Sequence, residues 1–247
     1  MSLTGSPDGP PFKLGISIAD VTTGMYAVHG ILAALYQRQS TGKGQKIDVA
    51  LLDSMVSTLT YQAGIYFGTG RVPQRMGNRH PSIVPYETFE TADGYLTIGV
   101  TNDAQWHRFC EAIGLKDLEK DERYLDVPHR VKNYEALRAV LACTFQQNTI
   151  QHWLGKLRAA GIPCGEVRTV AGALEEPQLK AREMIVELDH PKAGRIRATG
   201  LPIKMSGGRP ARPSPPPTLG QHNRQVFCGI LGLSDREFES LEREGVT

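Results

Sequence analysis

The first part of the chain shows the hydrophobic period of an α-helix. An apolar run, residues 25–36, follows polar positions that include Asp20 and precedes Gly42, which can end a helix in the left-handed conformation. One face of this helix would carry Met25, Val28, Ile31, Leu32 and Leu35. The spacing predicts a helix that begins close to Asp20 and ends at Gly42.

The next segments predict a short strand and a second helix. Residues 46–51 have the composition of a strand, and Asp53 or Ser54 can cap a helix that runs to about Phe67. Helix, strand and helix in succession are typical of the end of a parallel α/β sheet. Because too few strands are present for a complete sheet, we assign residues 1–76 to the end of an α/β domain.

Residues 77–185 have a different pattern, which predicts a small α+β domain. Two alternating stretches, 86–90 and 95–100, flank Ala92-Asp93-Gly94, a strong signal for a β-hairpin. Three helices are predicted after it, the first capped by Asn102 or Asp103 and ending near Gly114, the second from Pro128 to about Thr144, and the third from Thr149 to Gly161. A hairpin with helices packed on it is a common small architecture.

The last segment, residues 186–247, is predicted to complete a second hairpin and to end in two short helices. Strands over 184–188 and 195–203 would pair through Lys192-Ala193-Gly194. The proline-rich stretch 210–217 precedes the helices and fits either a PxxP ligand or a stiff connector. We favour the connector, since proline-rich spacers are common and the flanking basic residue is single.

Composition and charge exclude several function classes. The 28 basic and 26 acidic side chains leave a net charge of +2, and no block of like charge predicts a nucleic-acid or membrane-surface partner. No apolar run approaches the length of about 20 residues that spans a bilayer, and the polar N-terminus does not resemble a signal peptide. The seven histidines form no HExxH pair and the four cysteines no CxxC pair, so no metal site is expected. These features predict a cytoplasmic protein.

Two positions are candidates for chemistry. Asp20 stands where a helix begins, so it can be a simple N-cap, or its carboxylate can act as a nucleophile beside amide groups that stabilise an oxyanion. His80 lies in the loop 77–82 between the first two segments, where ligands often bind, although it can also be an ordinary surface histidine. The residues alone leave both alternatives open.

A long ordered string around Asp20 resembles the active-site segment of the family III CoA transferases, the CaiB/BaiF type. The string covers residues 14–25 and 30–35 and continues through 41–54, from Thr41-Gly42-Lys43-Gly44-Gln45 to Asp53-Ser54. The likeness extends more loosely through 82–86, 93–95 and 175–184. In appearance the chain is most similar to members of the succinate-hydroxymethylglutarate type, which move CoA between dicarboxylic acids.

The resemblance implies a fold, a reaction and site residues. The fold would be the later part of a Rossmann-like large domain, carrying the nucleophile and a linker over 1–76, a small α+β domain over 77–185 and a return to the large domain over 186–247. Asp20 matches the nucleophile, which would pass CoA between acids through mixed-anhydride and aspartyl-CoA intermediates. Gly77, Asn78 and His80 match the loop that covers the intermediate and would bind substrate. No tightly bound cofactor is expected, and coenzyme A would be a substrate.

The chain also departs from the family pattern. The covering loop has Gly77-Asn78-Arg79-His80 instead of a run of glycines, and only 19 residues precede Asp20, so the segment that holds the CoA nucleotide is expected to be missing. Relatives form interlocked dimers, and we expect a homodimer, or an assembly with a chain that supplies the missing segment. Two alternatives stay open: a 2-methylacyl-CoA racemase of the same superfamily, and a truncated, non-catalytic partner.

Overall fold

The structure is a computed structural model that describes residues 1–208 and 213–246. The chain divides into two compact units, Met1–Val167 and Arg168–Thr247. The predicted domain boundaries near residues 76 and 185 stay predictions. The proline-rich stretch 210–217 lies partly outside the described residues.

The first helix, α1, spans Ile18–Thr41 and ends as the sequence predicts. Gly42 takes the left-handed conformation with φ 68°, and its N–H donates to the carbonyl oxygen of Arg38 at 2.8 Å. Two shorter helices follow, α2 (Leu51–Ser57) and α3 (Tyr61–Thr69). α1 contacts α2, where the Tyr26 and Ser57 hydroxyls lie 2.8 Å apart.

Two predictions for this region are wrong. Residues 43–50 form no strand, because the described chain offers them no neighbouring strand with which to exchange backbone hydrogen bonds. The helix predicted to run to Phe67 is divided between α2 and α3. At the division the hydroxyls of Ser57 and Thr58 donate to the carbonyls of Ser54 and Met55, at 2.7 Å each, which competes with the helical backbone pattern.

The predicted hairpin is confirmed by strands β1 (Tyr86–Thr91) and β2 (Gly94–Gly99), which pair antiparallel around Ala92-Asp93. A third strand, β3 (Cys164–Glu166), pairs antiparallel with β2. The turn is fixed to the next layer, since the Asp93 Oδ1 accepts a hydrogen bond from the N–H of Ile150 at 2.7 Å. One face of β1 is buried at alternate positions, which directs the sheet against the helices.

Four α-helices share a core with the sheet, and their caps follow the sequence closely. The side chains of Asn102 and Thr149 each accept a hydrogen bond from the backbone N–H three residues on, as N-caps do. Asp126 caps in the same way the helix that was expected to begin at Pro128. That helix is divided in two at Asn133. The helices are α4 (Asp103–Ala112), α5 (Val127–Lys132), α6 (Tyr134–Phe145) and α7 (Ile150–Ala159), with a 3-10 turn at Lys116–Glu119.

The hydrophobic core of the first unit lies between this sheet and these helices. Every member of the core falls within residues 84–162. Its largest fully buried apolar side chains are Trp106, Tyr124, Phe89, Phe109, Phe145, Leu96, Ile98, Leu137, Leu141, Leu157 and Val100. In contrast, all of residues 1–83 are described and Ser54 is the one buried residue among them. The sequence before residue 84 therefore forms helices without a core of its own.

A buried arginine fixes the start of the sheet. Arg130 is fully buried and its guanidinium donates to the carbonyl oxygen of Val84 at 2.9 Å, to that of Tyr124 at 3.0 Å and to the carboxylate of Asp103 at 2.8 Å. Three partners compensate for the desolvation of the charge. The contact to Val84 anchors the chain at the point where the loop 77–82 enters β1.

The second unit contains the second predicted hairpin and short helices. Its strands β4 (Ile185–His190) and β5 (Gly194–Thr199) pair antiparallel, as expected. The last helix begins with a capping box between Ser234 and Glu237. The remaining elements are α8 (Val170–Leu174), α9 (Pro177–Ala181), a π-helix at Gln225–Ile230 and α10 (Asp235–Arg243).

Helix α1 has the length and composition of a membrane span, contrary to the expectation that no segment does. It has 24 residues, a mean hydropathy of 1.3 over its most apolar window, and no part of that window is buried. Length and composition are weak evidence for a membrane, because the core helices of soluble proteins, which are mostly buried, pass the same test.

Candidate functional site

Asp20 lies in the first turn of α1 and its side chain is exposed. The N-cap is Ser17, so the interpretation of Asp20 as the N-cap is wrong. The helix begins with the N–H of Val21 donating to the Ser17 carbonyl oxygen at 3.1 Å. A carboxylate at this position lies beside the free amide groups of the first turn, whose partial positive charge favours an anion.

The apolar face of α1 continues from the Asp20 end and is open to solvent. Between 41% and 59% of each of these side chains is exposed: Val21, Met25, Val28, Ile31, Leu32 and Leu35. The segment 43–50 approaches the helix from one side, where a Cβ at Gly30 would meet the Cγ2 of Ile47 at 3.1 Å. The nucleophile predicted from the resemblance therefore stands on a helix whose hydrophobic side is only partly covered in the described chain.

The loop 77–82 leads from α3 towards β1 and carries the other predicted site residues. Gly77 has φ 63°, a conformation that favours glycine, and its N–H donates to the carbonyl oxygen of Gly5 at 3.0 Å. His80 is fixed to the sheet, since its N–H donates to the carbonyl oxygen of Tyr86 at 2.9 Å. The loop is thus attached at both ends to the first unit.

The imidazole of His80 lies between two aromatic rings. It stacks on Tyr86 with 5.5 Å between ring centroids and an interplanar angle of 7°, and it contacts Tyr61 at 5.2 Å. The Nδ1 accepts a hydrogen bond from the N–H of Ser82 at 3.2 Å, which requires that nitrogen to be unprotonated. Partial burial lowers the pKa of His80. These contacts favour a neutral imidazole with its proton on Nε2.

A cleft of about 1050 Å³ opens beside this loop, between residues 71–82, β1 and α6. Gly77 and Asn78 line it, and both also line a smaller neighbouring cleft of about 320 Å³. Neither Asp20 nor His80 is part of the lining of these two clefts. The structure therefore brings Gly77 and Asn78 to one cavity and leaves Asp20 and His80 outside its lining.

Sequence reasoning missed a buried charged cluster at the wall of the larger cleft. Glu87 is 4% exposed, and its Oε2 accepts hydrogen bonds from the Tyr134 hydroxyl at 3.0 Å and from the Arg138 Nε at 3.1 Å. The guanidinium of Arg79 lies over the Tyr134 ring, 4.1 Å from its centroid. One signal was available: Glu87 occupies the inward side of the alternating pattern of β1, where an apolar residue is normal.

Burial sets the electrostatics of this cluster. It raises the pKa of Glu87, while the Tyr134 hydrogen bond and the charge of Arg138 act in the opposite direction. Burial and the negative charge of Glu87 together raise the pKa of Tyr134 to about 12. Tyr134 is therefore a hydrogen-bond donor at neutral pH, and Arg138 compensates for the buried carboxylate.

Comparison with known proteins identifies the class of this fold. A crystal structure of a CaiB/BaiF family protein from Brucella suis superimposes with a TM-score of 0.78 and 38% sequence identity, over 93% of this chain and 59% of that one. The mixed helix and sheet architecture is therefore that of the CaiB/BaiF proteins, which confirms the predicted fold class. The family model described as CoA-transferase family III matches residues 1–223. The chain belongs to this family.

Two named relatives are also CoA-transferases by name. The chain is 35% identical to a mouse protein named succinyl-CoA:glutarate CoA-transferase, over 100% of this chain and 56% of the relative. It is 36% identical to an Agrobacterium fabrum protein named succinate–glutarate CoA-transferase, over 98% of this chain and 59% of the relative. The chain thus spans little more than half the length of these relatives.

Proposed function

We propose that this chain carries the nucleophile and the covering loop of a CoA transferase, which moves CoA from an acyl-CoA to a free carboxylic acid. The observation that supports this most directly is an exposed Asp20 in the first turn of α1, at the position that matches the family nucleophile. The names of the relatives favour succinyl-CoA as donor and a dicarboxylic acid such as glutarate as acceptor.

The proposed reaction has four acyl-transfer steps at Asp20. Its carboxylate attacks the thioester carbonyl, the carbon–sulfur bond breaks, and a mixed anhydride and CoA thiolate form. The thiolate then attacks the aspartyl carbonyl and releases the first acid as its carboxylate, leaving an aspartyl-CoA thioester. The incoming carboxylate attacks this thioester and expels the thiolate again. Attack of thiolate on the new acyl carbonyl yields the product and restores Asp20.

In this proposal the loop 77–82 covers the anhydride and excludes water from it, a role that the resemblance implies for the loop although Asp20 itself does not line the cleft. Gly77 and Asn78 line the cleft, and the stacked His80 holds the loop against Tyr61 and Tyr86. An anhydride reacts readily with water, so a covering loop raises the fraction that proceeds to the thioester. Gly77, Asn78 and His80 would act by binding substrate and positioning the loop.

We further propose that the protein works in the cytoplasm as an assembly, either a homodimer or a complex with a second chain. The exposed apolar face of α1 supports this, because such a surface is stabilised when another polypeptide covers it. The same observation favours a second candidate function, in which this chain is a non-catalytic partner that acts only through the surface it contributes.

Trapping the covalent intermediate tests the proposal. The protein is incubated with succinyl-CoA and glutarate, treated with hydroxylamine or borohydride, digested and analysed by mass spectrometry. We expect a modified peptide that contains Asp20, and no modification in Asp20→Asn. Asp53→Asn is the matched control, since Asp53 is also exposed in the first turn of a helix, and it should be trapped like the parent chain. A chain that forms no adduct is the non-catalytic partner.

A further inference from the structure

The imidazole of His80 joins two parts of the first unit that differ in how they are stabilised. Residues 1–83 contribute no member to the hydrophobic core, which lies within residues 84–162. His80 stands at the boundary between them, with its ring between Tyr61 of α3 and Tyr86 of β1. At this point the helices are therefore attached to the sheet by side-chain contacts and not by a shared core.

The loop that carries His80 is also one wall of the larger cleft. Five residues of the loop line that cleft: Gly77, Asn78, Arg79, Pro81 and Ser82. The Nδ1 of His80 accepts the hydrogen bond from the Ser82 N–H at 3.2 Å, so the imidazole also fixes the loop beyond itself. One side chain thus connects α3, β1 and the wall of the cleft.

The elements that pack on the imidazole bring it no counter-ion. Both rings in contact with it belong to tyrosines, Tyr61 and Tyr86, and α3 contains no acidic or basic side chain. In the part of the chain that the structure describes, no carboxylate lies within ion-pair distance of His80. A positive charge on the ring would therefore lack the partner that usually stabilises one.

The charged side chains of β1 and of the loop have other partners. Glu87 accepts a hydrogen bond from the Tyr134 hydroxyl at 3.0 Å. Glu90 accepts one from the side-chain amide of Gln146 at 3.3 Å. The guanidinium of Arg79, next to His80 in the loop, lies over the Tyr134 ring at 4.1 Å from its centroid. None of these groups offsets a charge on His80.

Protonation works against this arrangement. A proton on Nδ1 would place an N–H donor against the N–H donor of Ser82, and partial burial lowers the pKa of His80 from its ordinary value of 6.5. Stacking on Tyr86 can favour a cation, but it does not replace the lost acceptor. The closed arrangement thus holds this proton more weakly than a released histidine does. Its stability is complete above about pH 6.5 and falls at lower pH.

We propose that His80 is a pH-sensitive joint, which holds α3 and the cleft wall against β1 while its imidazole is neutral and releases them when the imidazole is protonated. The hydrogen bond from the His80 N–H to the Tyr86 carbonyl does not titrate, so the release is a local opening and not an unfolding of the core. The joint acts whether or not Asp20 transfers an acyl group, because the contacts that form it involve Tyr61, Ser82 and Tyr86.

Hydrogen–deuterium exchange on the full chain tests the joint at about pH 5.0 and about pH 7.5, with labelling times scaled for the intrinsic exchange rate at each pH. We expect peptides within residues 61–86 to be about threefold or more less protected at the acidic pH, because opening is linked to proton uptake. His80→Phe keeps an aromatic ring in the stack but cannot titrate, so its protection should be equal at both values.

His152→Phe is the matched control. It replaces an exposed histidine of α7 whose ring also contacts an aromatic side chain, Trp153, and it should keep the pH dependence of the parent chain. Equal protection of the parent chain at both pH values would overturn the joint, as would the same acid-dependent loss in His80→Phe. A parallel loss in peptides from α6 and α7 would also overturn it, since acid would then destabilise the core and not open a local contact.

Titration of the imidazole itself gives a second measurement. In ¹H–¹³C NMR spectra of the histidine Cε1 groups, assigned by the signal missing from His80→Phe, we expect His80 to titrate below pH 6.5. A His80 that titrates at or above this value would show that the closed arrangement favours the charged ring, which contradicts the proposal.

Discussion

At the scale of residues, two carboxylates lie in opposite surroundings. Asp20 is exposed at the start of a helix, where water and free amides can solvate its charge. Glu87 is buried on the inward face of β1, and its charge depends on Tyr134 and Arg138. An exposed carboxylate is accessible to an acyl group, whereas a buried one is suited to orienting a neighbouring cation.

Glu87 should make the stability of the protein depend on pH. Burial raises its pKa in the folded state above the ordinary value of 4.5, so the folded protein holds this proton more tightly than the unfolded chain does. The associated stabilisation is complete below about pH 4.5 and is lost as the pH rises through the folded pKa. In Glu87→Gln this component is absent. We measure the free energy of unfolding in urea at about pH 4.5 and about pH 7.5. Between these values the parent chain should lose more stability than Glu87→Gln, so the difference between them should shift in favour of the variant at the higher pH.

Glu90→Gln provides the control for this prediction. Glu90 is on the same strand but exposed, so its replacement should leave the pH dependence of the unfolding free energy unchanged. If the unfolding free energies of the parent chain and Glu87→Gln changed with pH in parallel, burial of the Glu87 carboxylate would not destabilise the folded protein at neutral pH as we predict.

At the scale of elements, local signals and hairpins were predictable, and strand pairing between distant segments was not. The hairpin around Asp93 and the caps at Asn102 and Thr149 follow from residues close in sequence, and the structure confirms them. The strand predicted over 46–51 is absent because a strand needs a partner, which alternation alone cannot supply. The division between α2 and α3 lies just before Thr60, which has φ 44°. It depends on hydrogen bonds of the Ser57 and Thr58 hydroxyls, which the hydrophobic period of the sequence does not indicate.

The junction between the first hairpin and α7 should respond strongly to one substitution. Asp93→Ala removes the acceptor for the N–H of Ile150, and we expect the free energy of unfolding to fall by about 1–2 kcal/mol. Asp93→Asn keeps an acceptor oxygen, so its free energy of unfolding should fall by less. Asp117→Ala, at an exposed aspartate in the 3-10 turn, is the control. Equal losses in Asp93→Ala and Asp117→Ala, measured by urea denaturation, would show that the junction adds no stability.

At the scale of the whole molecule, two groups of apolar residues stand in contrast. One set forms the core within residues 84–162, and the other lies on the exposed face of α1. The hydrophobic period predicted the apolar faces of α1 and of the helices within 84–162. It did not predict which of these faces would be buried, since periodicity defines a face but not the element that packs on it. The cluster of Arg79, Glu87 and Arg138 was missed for a related reason: its members are far apart in sequence and meet only when β1 and α6 pack.

The uncovered face of α1 leads to a prediction about assembly. A contiguous apolar surface of this kind is stabilised by association, so the isolated chain should sediment as an oligomer or precipitate. Leu32→Lys places a charge in the middle of the face, where 59% of the leucine is exposed, and should shift the protein towards the monomer. Leu125→Lys is the matched control, because Leu125 is a leucine of similar exposure, 48%, that lies outside α1. It should sediment like the parent chain. Sedimentation velocity at several concentrations measures both.

The same variants distinguish a protein neighbour from a lipid one. If α1 entered a bilayer, the parent chain would float with phosphatidylcholine vesicles and Leu32→Lys would not, because a lysine at mid-helix is costly in hydrocarbon. If α1 packs against protein, neither chain floats and the difference appears in sedimentation alone. A parent chain that is a cooperatively folding monomer and ignores vesicles would contradict the need for any cover, and the helix that carries Asp20 would then be stable with its apolar side in water.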